Sequence, residues 1–303
     1  MFRILALCIS LGFCLVVLPP QASAEEVKIK HKGLALNADL TLAPGKKLSD
    51  GVVLMTHGDM AHKGMEIMVL LRDKLAEKGL STLSINLSLA EDDRHGMKDC
   101  AGPQRHIDSN AMVEIAQWVA WLKGKGAGPI TVLGHSRGAN QTSRYVAAGA
   151  DPLVKNAVLV APAIWDPGKP VRRFKQRFKK DLGPVMDKAK ALVQAGKGGA
   201  LMKGVDFAFC PNSTAAAATF ADYYGANPDF DTPSVIARIK MPVLIVTGSA
   251  DRVNPGMPEK MKGRTGANVT LVEVDGAGHF FRDLFGEDLA DAVAEFIAKG
   301  AGS

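Results

Sequence analysis

The 303-residue chain has no zinc-finger spacing, no Gly-rich phosphate-binding loop, no basic helix interleaved with aromatics and no internal repeat. These absences leave no motif for a metal-organised, nucleotide-binding or repeat design. Neither sign of charge dominates: the formal net charge is +6. That balance favours anionic surfaces in general and does not point to nucleic acid as a partner. Long apolar runs are also missing, with one exception at the start. Ile4 to Leu18 follows Met1-Phe2-Arg3 and precedes Ala22-Ser23-Ala24, an A-x-A cleavage signal. The run is shorter than the roughly 20 residues a spanning helix needs. Residues 1–24 are therefore expected to be a signal peptide, with export to the periplasm or beyond. An uncleaved anchor is the rival reading. Cys14 lies well before the cleavage signal, so a lipoprotein anchor is not expected there.

Cysteine is scarce as well. Of four, two fall in the expected leader, and Cys100 and Cys210 remain. Leftover cysteines often pair in an oxidising compartment, but sequence does not show whether their Cα atoms approach, so bonded and free forms both stay open. Removing the leader leaves residues 25–303 with a net charge of +5, enough chain for one sizeable α/β domain with an insertion.

Two alternating segments, Val27–His31 and Leu34–Leu42, predict a half-solvated hairpin. Short apolar runs follow at Val52–Met55, Leu83–Ile85, Ile130–Leu133, Ala157–Val160, Val243–Val246 and Leu271–Val274. Near-continuous apolarity fits strands buried on both faces of a parallel sheet. Between them, Met65–Lys78, Asp108–Leu122, Ala139–Ala148 and Leu289–Ala298 have helical length or period, with Gly79, Gly124 and Gly300 as plausible ends. Strands alternating with helices predict an open, mostly parallel α/β sheet. Residues 162–241 break the rhythm, being far longer than an ordinary crossover. They hold the basic run Arg172 to Lys180, a helical pattern near Val185–Ala195 and the Ala-rich stretch Ser213–Ala221.

Ser136 sits in Gly134-His135-Ser136-Arg137-Gly138, a G-x-S-x-G pentapeptide between an apolar strand and a helical segment. A serine hydroxyl needs lifting out of the sheet and pairing with a base before it is a useful nucleophile. Downstream, Val243–Thr247 ends in Gly248-Ser249-Ala250-Asp251, and Leu271–Val274 is followed by Asp275-Gly-Ala-Gly-His279. The order Ser, Asp, His and these spacings resemble the α/β-hydrolase family over nearly all of residues 25–303.

The resemblance implies an α/β-hydrolase fold, with 25–161 and 242–303 as the core and 162–241 as a helical cap. Peripheral helices away from the catalytic mouth are the alternative for 162–241. It implies Ser136 as nucleophile, His279 as base and Asp251 as the acid that orients the imidazole. Asp251 could instead cap the turn near Pro255, with Asp275 as the substitute acid. The backbone N–H groups of Arg137 and Asp59 are the expected oxyanion donors, Met60 being the neighbour of Asp59 in Thr56-His57-Gly58-Asp59-Met60. The Asp59 carboxylate is expected to point away, and His57 to brace the loop. The implied activity is that of an exported serine esterase needing neither metal nor organic cofactor, acting on a small-molecule or lipid-like ester. A peptidase or amidase with the same triad, and a non-catalytic binding protein on the same scaffold, are the rivals. Serine at the nucleophile position argues against the dehalogenase and epoxide-hydrolase branches.

Other clusters carry less. Asp92, Asp93, His95, Asp99 and Cys100 are candidate metal ligands without recognised spacing, so a solvated loop is expected. Arg94 and Arg105 are candidates to meet an anionic group. The basic run is expected to be a solvated helix face with Phe174 and Phe178 as its buried stripe, a contact with an anionic surface being the other reading.

Overall fold

The structure is a computed structural model that describes residues 24–264 and 266–301. Apart from Ala24, the expected signal peptide lies outside the described residues. No described helix is long and apolar enough to cross a membrane.

The chain opens with the antiparallel hairpin β1 (Ala24–His31) and β2 (Leu34–Thr41). It continues through β3 (Val52–Thr56), α1 (Glu66–Glu77), β4 (Thr82–Ile85), α2 (Asn110–Gly124), β5 (Ile130–His135), α3 (Arg137–Ala147) and β6 (Val154–Val160). Next come α4 (Lys169–Phe178), α5 (Gly183–Gln194), the hairpin β7 (Leu201–Phe207) and β8 (Cys210–Ala216), α6 (Ala217–Tyr224) and α7 (Thr232–Ile236). The chain closes with β9 (Val243–Gly248), α8 (Met257–Met261), β10 (Val269–Val274) and α9 (Phe285–Ala301). Eight strands form one sheet in the order β1-β2-β4-β3-β5-β6-β9-β10, and every pairing from β4 to β10 is parallel. This is the expected α/β-hydrolase architecture.

Successive residues of a strand point to opposite faces, which explains the continuous apolar runs. Leu54, Val132 and Ile245 face Ile115, Trp118 and Leu122 of α2 on one side. Met55, Leu133 and Val246 face Met68 and Leu71 of α1 and Leu289 of α9 on the other. Each such side chain, fully buried, contributes about 1.5–3 kcal/mol.

The stretch between β6 and β9 has a third apolar cluster, in which Phe174, Phe207 and Phe220 pack with Met60 of the core. Phe174 and Phe178 stack at 4.9 Å, as the stripe reading requires. The β7–β8 hairpin was not signalled by the sequence, and it claims the start of the Ala-rich stretch. Cys100 and Cys210 form a disulfide, with Cα atoms 5.2 Å apart, which resolves the open pairing. Beside it, Gln104 exchanges backbone hydrogen bonds with Thr214 (2.8 Å) and Ala216 (2.8 Å), stitching the β4–α2 connection along β8.

Candidate active site

Ser136 occupies the turn between β5 and α3 with φ 57° and ψ −118°, a left-handed conformation that L residues adopt only when the surroundings impose it. The flanking glycines are steric necessities. A Cβ on Gly134 would lie 2.4 Å from the Gly138 carbonyl oxygen, and one on Gly138 would lie 2.2 Å from that of His57. Strand and helix can meet there only without side chains.

The sheet topology brings β9 beside β6 and places β10 beyond it, so loops after three strands converge at one rim. His279 Nε2 lies 2.9 Å from Ser136 Oγ, and its Nδ1 lies 2.8 Å from Asp251 Oδ2. The other Asp251 oxygen accepts from the N–H groups of Val253 (2.7 Å) and Asn254 (3.0 Å). Burial pushes the Asp251 carboxyl up, but the bonds from His279 and these N–H groups hold it below its ordinary value. Asp251 thus fixes both its own turn and the imidazole. Asp275 accepts from Ser249 Oγ instead and is exposed.

The loop after β3 lies against the nucleophile: a Cβ on Gly58 would be 3.4 Å from Ser136 Cβ. Among the described residues, the backbone N–H groups of Arg137 and Asp59 have no acceptor, and both residues line the pocket beside Ser136. The Asp59 carboxylate accepts from Tyr223 of α6 (2.5 Å) and lies 3.9 Å from Arg137 Nε. It is therefore drawn toward these partners, as its position demands. Met60, with φ 52°, buries its side chain in the third apolar cluster and anchors the loop.

His57 is fully buried. Its Nδ1 donates to the Gly58 carbonyl (2.8 Å), while Nε2 accepts from the Leu87 N–H (3.1 Å) and from Arg94 (3.1 Å). Burial and then Arg94 lower it to about 3, so it braces the loop as a neutral ring. His135 behaves alike: it donates to the His279 carbonyl (3.0 Å), and burial followed by the nearby His279 lowers it to about 3.

The nucleophile motif singles out Arg137 for its backbone N–H, yet its side chain belongs to a buried charge cluster. Asp108 accepts from Arg137 Nε (2.8 Å), Gln141 (3.0 Å) and Arg144. The guanidinium of Arg137 also stacks on Tyr223, 4.5 Å from the ring centre. Helical spacing marked Asp108 as one more position on a helix face; it actually precedes α2, and nothing in the local sequence announces its partners. Removing one member of such a cluster strands the others. Asp108→Ala is expected to lower stability by about 3–5 kcal/mol in urea unfolding, because Arg144 loses its only ion-pair carboxylate among the described residues and Arg137 its closest one.

The remaining candidates resolve simply. Arg94 does not meet the pocket: it is buried, with its guanidinium bonded to Leu87 and Gly96 carbonyls and to Asn86. Arg105 is exposed and lies off the pocket. Asp92 and Asp93 tie to the β1–β2 hairpin through the Ala35 N–H (2.6 Å) and Asn37 (2.9 Å). Glu26, Asp93 and His95 lie close enough to hold a cation, but Lys28 and Lys63 already supply the positive charge there. Hydrogen bonds from Lys63 and then His95 hold Glu26 at about 2.

Ser136 opens into a pocket of about 350 Å³. Ile67, Met68 and Phe280 form walls from the core, and Trp165, Phe174 and Phe230 close it from the stretch between β6 and β9.

A search of the curated proteins finds no match. Solved structures similar in fold include Est1E from Butyrivibrio proteoclasticus, with 17% identity and a TM-score of 0.62, covering 92% of this chain and 99% of that one. The esterase Pf2001 of Pyrococcus furiosus is 19% identical, with a TM-score of 0.60 and coverage of 92% and 90%. The monoacylglycerol lipase of Paleococcus ferrophilus is 19% identical, with a TM-score of 0.59 and coverage of 88% and 99%. At such identities the likeness speaks for the fold alone. The profile described as "Alpha/beta hydrolase family" matches residues 53–296, more than half of the sequence, and the chain belongs to the α/β-hydrolase family.

Proposed function

We propose that this chain is an exported serine hydrolase that cleaves a carboxylic ester through an acyl-enzyme. The observation that carries this reading is the continuous relay from Asp251 to His279 to Ser136, at 2.8 and 2.9 Å, facing a pocket with largely apolar walls. His279 takes the hydroxyl proton as Ser136 Oγ attacks the ester carbonyl. The imidazolium formed is stabilised by the Asp251 carboxylate. The tetrahedral oxyanion receives the free N–H groups of Arg137 and Asp59, each worth a factor of roughly a hundred or more. His279 then returns the proton to the departing alcohol, and water repeats the sequence to release the acid. In this reading residues 162–241 are a cap that shapes the substrate site.

An ester is favoured over an amide because an alcohol leaves the tetrahedral intermediate more readily than an amine. Est1E has been solved with ferulic acid bound, and an esterase and a monoacylglycerol lipase share the fold, which adds support for ester chemistry. Export is supported by the leader-like first residues and by the disulfide, which persists in oxidising compartments.

A fluorophosphonate probe is expected to label the folded protein at Ser136, and Ser136→Ala to abolish labelling. Equal labelling of the variant, or none of the parent, ends the hydrolase reading. Nitrophenyl esters set against aminoacyl anilides test the bond: faster anilide turnover would make the enzyme a peptidase or amidase.

A further inference from the structure

The charges on α4 are of two kinds. Arg172 pairs with Asp166 at 2.7 Å and Lys175 with Asp181 at 3.3 Å, and just beyond the helix Lys180 pairs with Asp206 at 2.7 Å. Lys169, Arg173 and Arg177 follow one another at four-residue spacing, so they share a face, and that face lines the pocket. Among the described residues, none of these three has a carboxylate within ion-pair distance. Only neutral oxygens hold them. Lys169 donates to the Ile164 carbonyl and to Asn254 Oδ1 (3.2 Å), Arg173 to the Val253 carbonyl (2.7 Å), and Arg177 to the Ala208 carbonyl (2.6 Å). A guanidinium has five donors, so each arginine keeps several for a ligand.

Carbonyls orient a cation without neutralising it. The nearest acids to Lys169, Asp166 and Asp231, act from beyond contact, and burial followed by Arg173 lowers its pKa to about 8. Asp59 cannot compensate, being committed to Tyr223 and Arg137. The row starts at Asn254, whose N–H bonds Asp251, and runs about 12 Å along the helix to Arg177. Phe174 and Phe178 stand beside it as apolar wall. A chain long enough to leave Ser136 and follow that wall reaches uncompensated positive charge.

We propose that the pocket selects esters that carry a second, anionic group, a carboxylate, which Lys169, Arg173 and Arg177 receive. This rests on the ester-hydrolase reading and names its substrate class.

The test uses 4-nitrophenyl esters of six- to ten-carbon diacids, with the distal carboxylate free or methylated. At the best-fitting length the free acid is expected to show about tenfold higher kcat/KM, a preference that shrinks between 0.05 and 0.5 M salt as screening sets in. Arg173→Gln/Arg177→Gln is expected to bring the ratio near one, whereas Arg172→Gln/Lys175→Gln, on the paired face, preserves it. Should the first double variant not fold, the wild-type ratio and its salt dependence decide. Calorimetry on Ser136→Ala, with monomethyl suberate against dimethyl suberate, measures the same selectivity without turnover. Tighter binding of the monoanion with no hydrolysis of any ester would sustain the anion site and sink the hydrolase. Equal turnover and equal binding of charged and capped members at every length overturn the inference and leave the hydrolase intact.

Discussion

His279→Ala is expected to lower kcat/KM toward activated esters by about 10⁴-fold, the scale on which members of such triads act. Among the described residues, the imidazole is the one side chain hydrogen-bonded to both Ser136 and Asp251. His135 stands nearby, with ring centres 4.9 Å apart, yet it cannot substitute. Its ring bonds the backbone carbonyl of residue 279, and burial keeps it neutral down to about pH 3. Asp251 retains two N–H donors in the variant, so its turn should survive the loss of the ring. Steady-state kinetics beside a thermal melt separates the two effects. A loss of less than tenfold in a folded variant would mean that another base serves Ser136.

Acid is expected to unfold the protein before its depressed carboxylates, Asp108 and Asp251 among them, are protonated. Burial, first among the causes, lowers His57 and His135 to about 3 and His106 to about 4 from an ordinary 6.5. The unfolded chain therefore takes up protons near pH 6.5 that the native protein refuses. Stability is full above that value and is lost as pH falls toward the native pKa values. Each histidine contributes a slope of up to about 1.4 kcal/mol per pH unit, so three give about 4 kcal/mol per unit between pH 6 and 4. Domains of this kind have about 5–15 kcal/mol in total. Depressed carboxylates such as Asp108 and Asp251 push the same way at lower pH. Urea midpoints from pH 8 to pH 4 check this, and a flat profile between 7 and 5 would contradict it. His106→Phe, at a site packed edge-on against Phe207, should remove one proton from the slope.

How far residues could be read ahead of coordinates followed the range of their interactions. The parallel strands were legible because double burial makes each a short apolar run, and Ser136 because its two glycines are demanded by local crowding. Asp251 and His279 were legible as residues following strands, since loops after adjacent strands meet at one rim. Where the partner is distant, the signal vanished. Leu201–Phe207 is interrupted by Lys203, Gly204 and Asp206, so its pairing with β8 leaves little alternation to detect. Asp108 looked like one more helix position because Arg137 and Arg144 come to it from 29 and 36 residues away. The basic run read as a solvated face with Phe174 and Phe178 as its buried stripe; only the fold shows that Lys169, Arg173 and Arg177 line the pocket as well.

The covalent tie at Cys100–Cys210, together with the Gln104 stitch, holds the β7–β8 hairpin to the core next to Ala208 and Phe209, which line the pocket. While that bond is intact, residues 210–216 cannot swing clear of the β4–α2 connection. The disulfide does not reach α4, whose Lys169, Arg173, Phe174, Arg177 and Phe178 line the pocket on the other side. The hairpin's side of the pocket is thus held covalently, and α4 is left as the wall without such a tether.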